Sequence, residues 1–276
     1  MENKEVIQSD SISNLYRKEL HQQWAEAKTM EHASGIWGRE PMFDYLKEII
    51  TIGETVVDLG CGAGYPTIKV AEMVGESGKV IGIERSRSML GLEDGQTPLA
   101  QKYKQFNNVE FINADITETA LENESVDMVV SFMVLHNLSI DKVKATLKET
   151  FRILKCGGKA VFLTMHSEAL DKQWDLDFMN YDKDAIETYH QAEYKEGITV
   201  KGIVKSAGGG EKEVMMITHT RENMLQAIAE AKFELVDEKD LWIDEVTAQE
   251  KFGNDSVRKL PSTPIFWMIT VQKGLD

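Results

Sequence analysis

The residues best suited to chemistry lie in Thr55 to Lys69, TVVDLGCGAGYPTIK, where an apolar run is closed by Asp58 and followed by Gly60, Gly62 and Gly64 at alternate positions. Glycines there carry no Cβ, so the backbone can turn sharply after a strand and lie directly against a ligand. Pro66 suits an early helical position and restricts Tyr65 before it to an extended conformation. A helix whose free N–H groups face the ligand is expected to follow. Such a turn holds a nucleotide, but not a dinucleotide: G-x-G-x-x-G would need glycine where Tyr65 stands. A nicotinamide-dependent oxidoreductase is therefore disfavoured.

Further polar residues close the apolar runs downstream. Glu84 ends VIGIE about 20 residues beyond the glycine turn, where a carboxylate can accept both hydroxyl hydrogens of a ribose; the alternative is an exposed strand-end glutamate. Arg85 and Met89 could pack on a purine. Asp115, followed by Ile116, succeeds VEFIN, and its carboxylate could accept an exocyclic amino group or cap the short turn after it. After VDMVV come Ser131 and, within SFMVLHNL, His136; His166 follows KAVFLT. Both histidines are candidate bases, since an imidazole titrates near working pH and can take a proton from a hydroxyl, phenol or acidic carbon. Each could equally be a hydrogen-bonded structural residue. With Asp171, Asp175 or Asp177 they could make a divalent-metal site, but no H-x-x-x-H pair occurs and no metal is expected.

The order D-x-G-x-G-x-G at Asp58 to Gly64, joined with Glu84 and Asp115, resembles the motifs of the class I S-adenosylmethionine-dependent methyltransferases. The resemblance runs from about Val56 to Thr164 and more weakly through the last strands. It implies S-adenosyl-L-methionine as cofactor. The turn at Gly60, Gly62 and Gly64 would pass under its methionine and ribose, Asp58 would help hold its amino group, and Glu84 and Asp115 would take ribose and adenine. Arg85, Met89, Ile116 and Ser131 would complete the pocket. SFMVLHNL is similar to the corresponding run of members that methylate small molecules, including the quinone-biosynthetic type, and the N-P-P-Y or D-P-P-Y signature of nucleobase methylation is missing. Arsenic-methylating members need several cysteines, whereas this chain has Cys61 and Cys156. The implied activity is methyl transfer to O, N or C of a small-molecule metabolite. A cofactor-binding regulatory or scaffold protein without transfer activity is the alternative.

These residues need a frame that gathers strand ends. From Val56 strands and helices alternate: VVDL, a helix from Pro66 to Val74, VIGIE, a helix from Ser86, VEFI, VDMVVSF, a helix from about Asp141, and KAVFLT. The strands are unbroken apolar runs, as in a parallel sheet covered on both faces. The expected fold is α/β: a doubly wound, Rossmann-like sheet of about seven mostly parallel strands with the last antiparallel, N-terminal lid helices and an inserted cap after strand five. Residues 1–52 would form the lid, with a break at Gly35 before a helix opened by Pro41 and with Tyr16, Trp24 and Trp37 as candidate pocket walls. Residues 53–165 would bind the cofactor, and Gly157 and Gly158 would end the helix before KAVFLT. Residues 166–218 would form the cap, with Trp174, Phe178, Tyr181, Tyr189 and Tyr194 and a hairpin tipped by Ser206 to Gly210. Residues 219–276 would complete the sheet.

Lysine plus arginine number 31 against 46 acidic residues, a net charge of −15. Such a surface repels phosphate backbones, so a nucleic-acid partner is not expected. No apolar run is long enough to span a bilayer, the N-terminus is too acidic and polar for a signal peptide, and two cysteines fit no disulfide framework. A cytoplasmic protein with a small-molecule acceptor is the expectation. An exposed β-arm could pair with a second copy by strand addition, which is compatible with a homodimer.

Overall fold

The computed structural model describes residues 33–93, 95–166, 170, 175–176, 179–193, 196–205 and 211–275. The helix expected near 11–28, Tyr16, Trp24, Asp171, Trp174, Asp177, Phe178, Tyr194 and the hairpin tip lie outside them. A seven-stranded sheet is built from β1 (Thr55–Leu59), β2 (Lys79–Ile83), β3 (Val109–Ile112), β4 (Val126–Phe132), β5 (Leu154–Met165), β10 (Phe233–Leu241) and β12 (Phe266–Lys273). Its order is β10-β12-β5-β4-β1-β2-β3. The pairs from β5 to β3 are parallel, while β12 runs antiparallel between β5 and β10. This is the predicted α/β class.

Strand residues alternate between two cores because successive side chains leave a strand on opposite faces. Val56, Val80, Val130 and Val161 meet Met42 and Leu46 of α1 (Glu40–Ile49) and Val70 and Val74 of α2 (Tyr65–Val74). Val57, Ile81, Val129 and Phe162 meet Val143 and Leu147 of α4 (Ile140–Ile153) and Met224 and Ile228 of α6 (Arg221–Glu230). With both faces buried, the central strands β1, β2, β4 and β12 are almost continuously apolar, which is why their runs read so clearly in the sequence.

Four local expectations are corrected. Gly35 does not break the chain: Gly35–Arg39 is a π-helical turn that runs directly into α1. Tyr65 is the first residue of α2 rather than extended, because Gly64, at φ 80°, supplies the turn and Pro66 still falls where no N–H is required. No helix starts at Ser86. Gly91, at φ 67°, turns the chain back so closely that a Cβ there would lie 2.2 Å from the Thr97 carbonyl oxygen, and only the short α3 (Leu99–Lys102) follows. Finally, α4 ends at Ile153, and Gly157 and Gly158 lie inside β5, where the register with β4 shifts. A Cβ on Gly158 would come within 2.9 Å of two backbone oxygens.

A second, five-stranded antiparallel sheet covers the end of β5, in the order β11-β6-β7-β8-β9. Its strands are β6 (Asp175–Leu176), β7 (Met179–Tyr181), β8 (Thr199–Lys205), β9 (Glu211–Ile217) and β11 (Val257–Lys259), with α5 (Lys183–Gln191) between β7 and β8. The expected hairpin is β8 and β9. Tyr181 and Tyr189 are buried with Leu170, Val200 and Met216, so these two aromatics fill a small core of the cap. β11, which follows α7 (Glu245–Phe252), brings residues from the far end of the chain into this sheet. Among the described residues no helix is long and apolar enough to cross a membrane.

Candidate functional site

The glycine turn follows β1 at the carboxyl edge of the sheet. Gly60, Gly62 and Gly64 all have left-handed φ, at 75°, 53° and 80°, which other residues adopt only at a cost. Gly60 is also filled sterically from outside: a Cβ there would lie 2.5 Å from Cγ2 of Val134. At Gly62 an added Cβ would meet Met89 Cε at 3.3 Å, so Met89 does lie against the turn.

Glu84, at the end of β2, braces that turn. Its Oε2 accepts the Gly62 N–H at 3.1 Å and its Oε1 the Ser86 N–H at 2.8 Å. The Arg85 N–H also bonds this carboxylate, so of its about four lone-pair sites one is left for a hydroxyl. Burial pushes the Glu84 carboxyl up, against the pull of its backbone bonds. Asp115 performs the capping alternative: Oδ1 accepts the Thr117 N–H at 2.9 Å and its hydroxyl at 2.8 Å. Asp115 Oδ2 faces Arg85 at 3.9 Å. Burial works against ionisation of Asp115, yet the Thr117 bonds and Arg85 hold its carboxyl below the usual range. Ile116, beside it, is buried. Ser131 is buried too, and its hydroxyl donates to the Leu59 carbonyl at 2.9 Å, which ties β4 to the end of β1.

Asp58 is fully buried at the base of the turn. Thr67 of α2 donates to Oδ2 at 2.7 Å, while Oδ1 is buried without a partner. Burial raises its pKa to about 7; the Thr67 bond opposes this, the Glu84 charge adds to it and Arg39 opposes it. Arg39 had no place in the sequence reading. It ends the π-helical turn, where such turns are frequent at functional sites, donates to Ser34 Oγ at 2.9 Å and leaves Nε buried without an acceptor. Burial lowers its pKa to about 10, with Asp58 opposing. The one sequence signal was a guanidinium inside an otherwise apolar IWGR turn.

His136 reaches Thr164, a residue of the cavity that His166 lines, without lining that cavity itself. His136 sits in a helical turn, Leu135–Asn137, and is buried with Nδ1 3.4 Å from Thr164 Oγ1 and Nε2 3.3 Å from the Asn137 side-chain amide. Burial pushes its pKa down to about 3, helped by His219 and Arg39, so its neutral ring is a weak base. His166, beyond β5, instead shares a cavity with His219, Arg221 and Trp267, lined also by Thr164, Met165, Ile217 and Met224. His166 Nε2 is 3.7 Å from Asp240 Oδ1. His219 was missed because it follows a strand of the cap, far from any motif. Its Nδ1 lies 2.5 Å from Glu196 Oε1 and its Nε2 2.8 Å from the Leu138 carbonyl oxygen.

Beside the glycine turn stand the Glu84 carboxylate, a buried carboxylate oxygen of Asp58 and a buried guanidinium nitrogen of Arg39, the last two without a hydrogen-bond partner. Comparison with known proteins agrees. A sequence profile described as a methyltransferase domain matches residues 50–219. The demethylmenaquinone methyltransferase of Oceanobacillus iheyensis is 28% identical over 152 residues, 55% of each chain. Human arsenite methyltransferase is 35% identical over 41% of this chain and 31% of its own. The matched stretch thus spans about half or less of these relatives. The crystal structure of geranyl diphosphate C-methyltransferase from Streptomyces coelicolor, solved with Mg2+, geranyl diphosphate and S-adenosyl-L-homocysteine, superposes with a TM-score of 0.55 at 15% identity, covering 85% of this chain and 79% of that one. With the profile matched over more than half its length, the chain belongs to the methyltransferase domain family, of the class I S-adenosylmethionine-dependent kind.

Proposed function

We propose that this chain transfers a methyl group from S-adenosyl-L-methionine to an oxygen, nitrogen or carbon of a small-molecule metabolite. The observation that carries the reading is the pair of buried, unpartnered polar atoms beside the glycine turn, Asp58 Oδ1 and Arg39 Nε. An amino-acid end fits both: its ammonium would donate to Asp58 and its carboxylate accept from Arg39, each removing a buried unsatisfied group. Gly62 leaves open the space beside Met89, and Glu84 keeps a lone pair for a ribose hydroxyl. Asp115, with Oδ1 already used, has Oδ2 for an adenine amino group. When bound, the cofactor supplies a methyl carbon on a sulfonium that departs as the thioether.

For such an in-line displacement the protein chiefly brings nucleophile and methyl together and excludes water. The cap over the end of β5 suits exclusion. A neutral, buried His136 suits hydrogen bonding to an acceptor better than general-base work, while His166 stays a candidate base beside Asp240. Arsenic chemistry is disfavoured, since Cys61 follows the carboxyl end of β1 and Cys156 lies near the amino end of the parallel β5. Those are opposite edges of the sheet. The division into a lid at 1–52, a cofactor core, a cap and a completing stretch remains our reading of the chain's organisation.

Isothermal calorimetry with S-adenosylmethionine and S-adenosylhomocysteine tests the reading: micromolar binding of either is expected, and no binding by folded protein overturns it. Incubation with methyl-labelled cofactor and pooled cell metabolites, followed by mass spectrometry, names the acceptor and the atom.

A further inference from the structure

The ladder between β2 and β3 ends at Ile83 and Ile112, and just beyond it the Glu84 N–H donates to the Ile112 carbonyl at 3.1 Å. From there a side chain takes over. Asn113 Nδ2 donates to the Glu84 carbonyl at 3.0 Å and to the Arg85 carbonyl at 2.9 Å. Both partners can only accept, so the amide presents its two N–H donors to them and its orientation is fixed by chemistry.

The segment so held carries the Glu84 carboxylate. Residues 84–86 lie outside helix and strand, so bonds to side chains set their shape. The Arg85 and Ser86 N–H groups bond the Glu84 carboxylate, Ser86 at 2.8 Å, while the Glu84 and Arg85 carbonyls bond Asn113. Further on, the Met89 N–H donates to the Ser86 hydroxyl at 3.2 Å, and Met89 lies against Gly62. Asn113 itself is exposed. It stands two residues before Asp115, whose Oδ2 faces Arg85 at 3.9 Å, so the segments that bear Glu84 and Asp115 are cross-tied twice.

We propose that Asn113 is a positioning residue: its amide clamps the carbonyls of Glu84 and Arg85 and so aims the Glu84 carboxylate at a ribose hydroxyl. The proposal rests on the methyltransferase reading for what that carboxylate meets. Without the clamp the two carbonyls turn to water, which is at hand on this exposed surface, so no buried polar group is stranded and the fold survives. The carboxylate keeps its charge but loses its fixed direction, and a hydrogen bond that depends on direction weakens.

Calorimetry of the full chain with S-adenosylhomocysteine and its 2′-deoxy and 3′-deoxy analogues reads the aim of Glu84. In the wild type, the analogue that lacks the hydroxyl accepted by Glu84 should bind about tenfold more weakly than the parent, the loss expected for one bond to a charged group. In Asn113→Ala that ratio should shrink to about threefold or less, with the affinity for the parent itself down by about threefold to tenfold. Asn113→Asp keeps the shape but replaces the donors by acceptors, and it should act alike; its added charge bears equally on parent and analogue and cancels in the ratio. In the free protein, hydrogen–deuterium exchange at the Gly62 and Ser86 amides, both bonded to Glu84, should quicken in either variant. Circular dichroism separates a misfolded variant from a loosened turn. An unchanged ratio or unchanged exchange in a folded Asn113→Ala overturns the proposal, as does a wild type that binds the parent and both analogues equally. A wild type that shows the exchange contrast with its variants but binds no S-adenosylhomocysteine leaves the clamp intact and overturns the functional reading alone.

Discussion

Asp58 is a buried carboxylate kept at a disadvantage in the free protein. Its folded pKa of about 7 lies above the unfolded value of about 4, so the folded state binds its proton more tightly. Stability therefore falls as pH rises through that window and levels off above it, a loss on the order of a few kcal/mol. Asp58→Asn should remove the slope and raise the melting temperature at pH 8 by several degrees, while weakening S-adenosylhomocysteine binding at least tenfold. Thermal melts at pH 5 and pH 8 with calorimetry check both halves. Because an ammonium favours the ionised carboxylate, cofactor affinity in the wild type should increase from pH 6 to pH 8, with proton release visible in buffers of different ionisation enthalpy. Gly62→Val should abolish cofactor binding in a protein that still folds, since the side chain would need left-handed φ and occupy the space beside Met89. The turn at Gly60, Gly62 and Gly64 after Asp58, braced by Glu84, was legible because a sharp strand-end turn with left-handed φ admits few residue types. Arg39 was not, because its nearness to Asp58 joins positions distant in sequence.

At the scale of elements, strand positions were readable and helix boundaries less so. A strand buried on both faces must be almost continuously apolar, and VVDL and VDMVVSF left little freedom in placing β1 and β4. Glycines were ambiguous: Gly157 and Gly158 read as a helix stop but serve a shifted register inside β5. Gly35, in turn, begins the π-helical turn that carries Arg39. That turn makes a specific expectation possible. Arg39→Gln removes a cation near Asp58, so the pKa of Asp58 should move further up and the rise in cofactor affinity should shift to higher pH. Calorimetry of Arg39→Gln across pH 6 to 9 reads the displacement; an unchanged profile would show that Arg39 has no electrostatic part in the site.

In the whole molecule, distant segments meet above the sheet. Trp37 Nε1 donates to Asp244 Oδ2 at 2.8 Å and its ring stacks on Phe252 at 6.2 Å, which joins the N-terminal turn to α7. Trp37→Phe keeps the ring but loses that bond, so it should cost about 1 kcal/mol and lower the melting temperature by about 2–4 °C. The same meeting explains why the cap was only partly legible. Its β8–β9 hairpin is local and could be read, whereas β11 pairs with β6 across some eighty residues, a partnership no local pattern announces. The place of β12 bears on how the protein is made. Since it lies between β5 and β10, neither strand has its neighbour on that side until Phe266–Lys273 has left the ribosome. Until β12 emerges the nascent sheet carries an open, sticky edge at β5, so chaperone dependence should persist until that strand pairs.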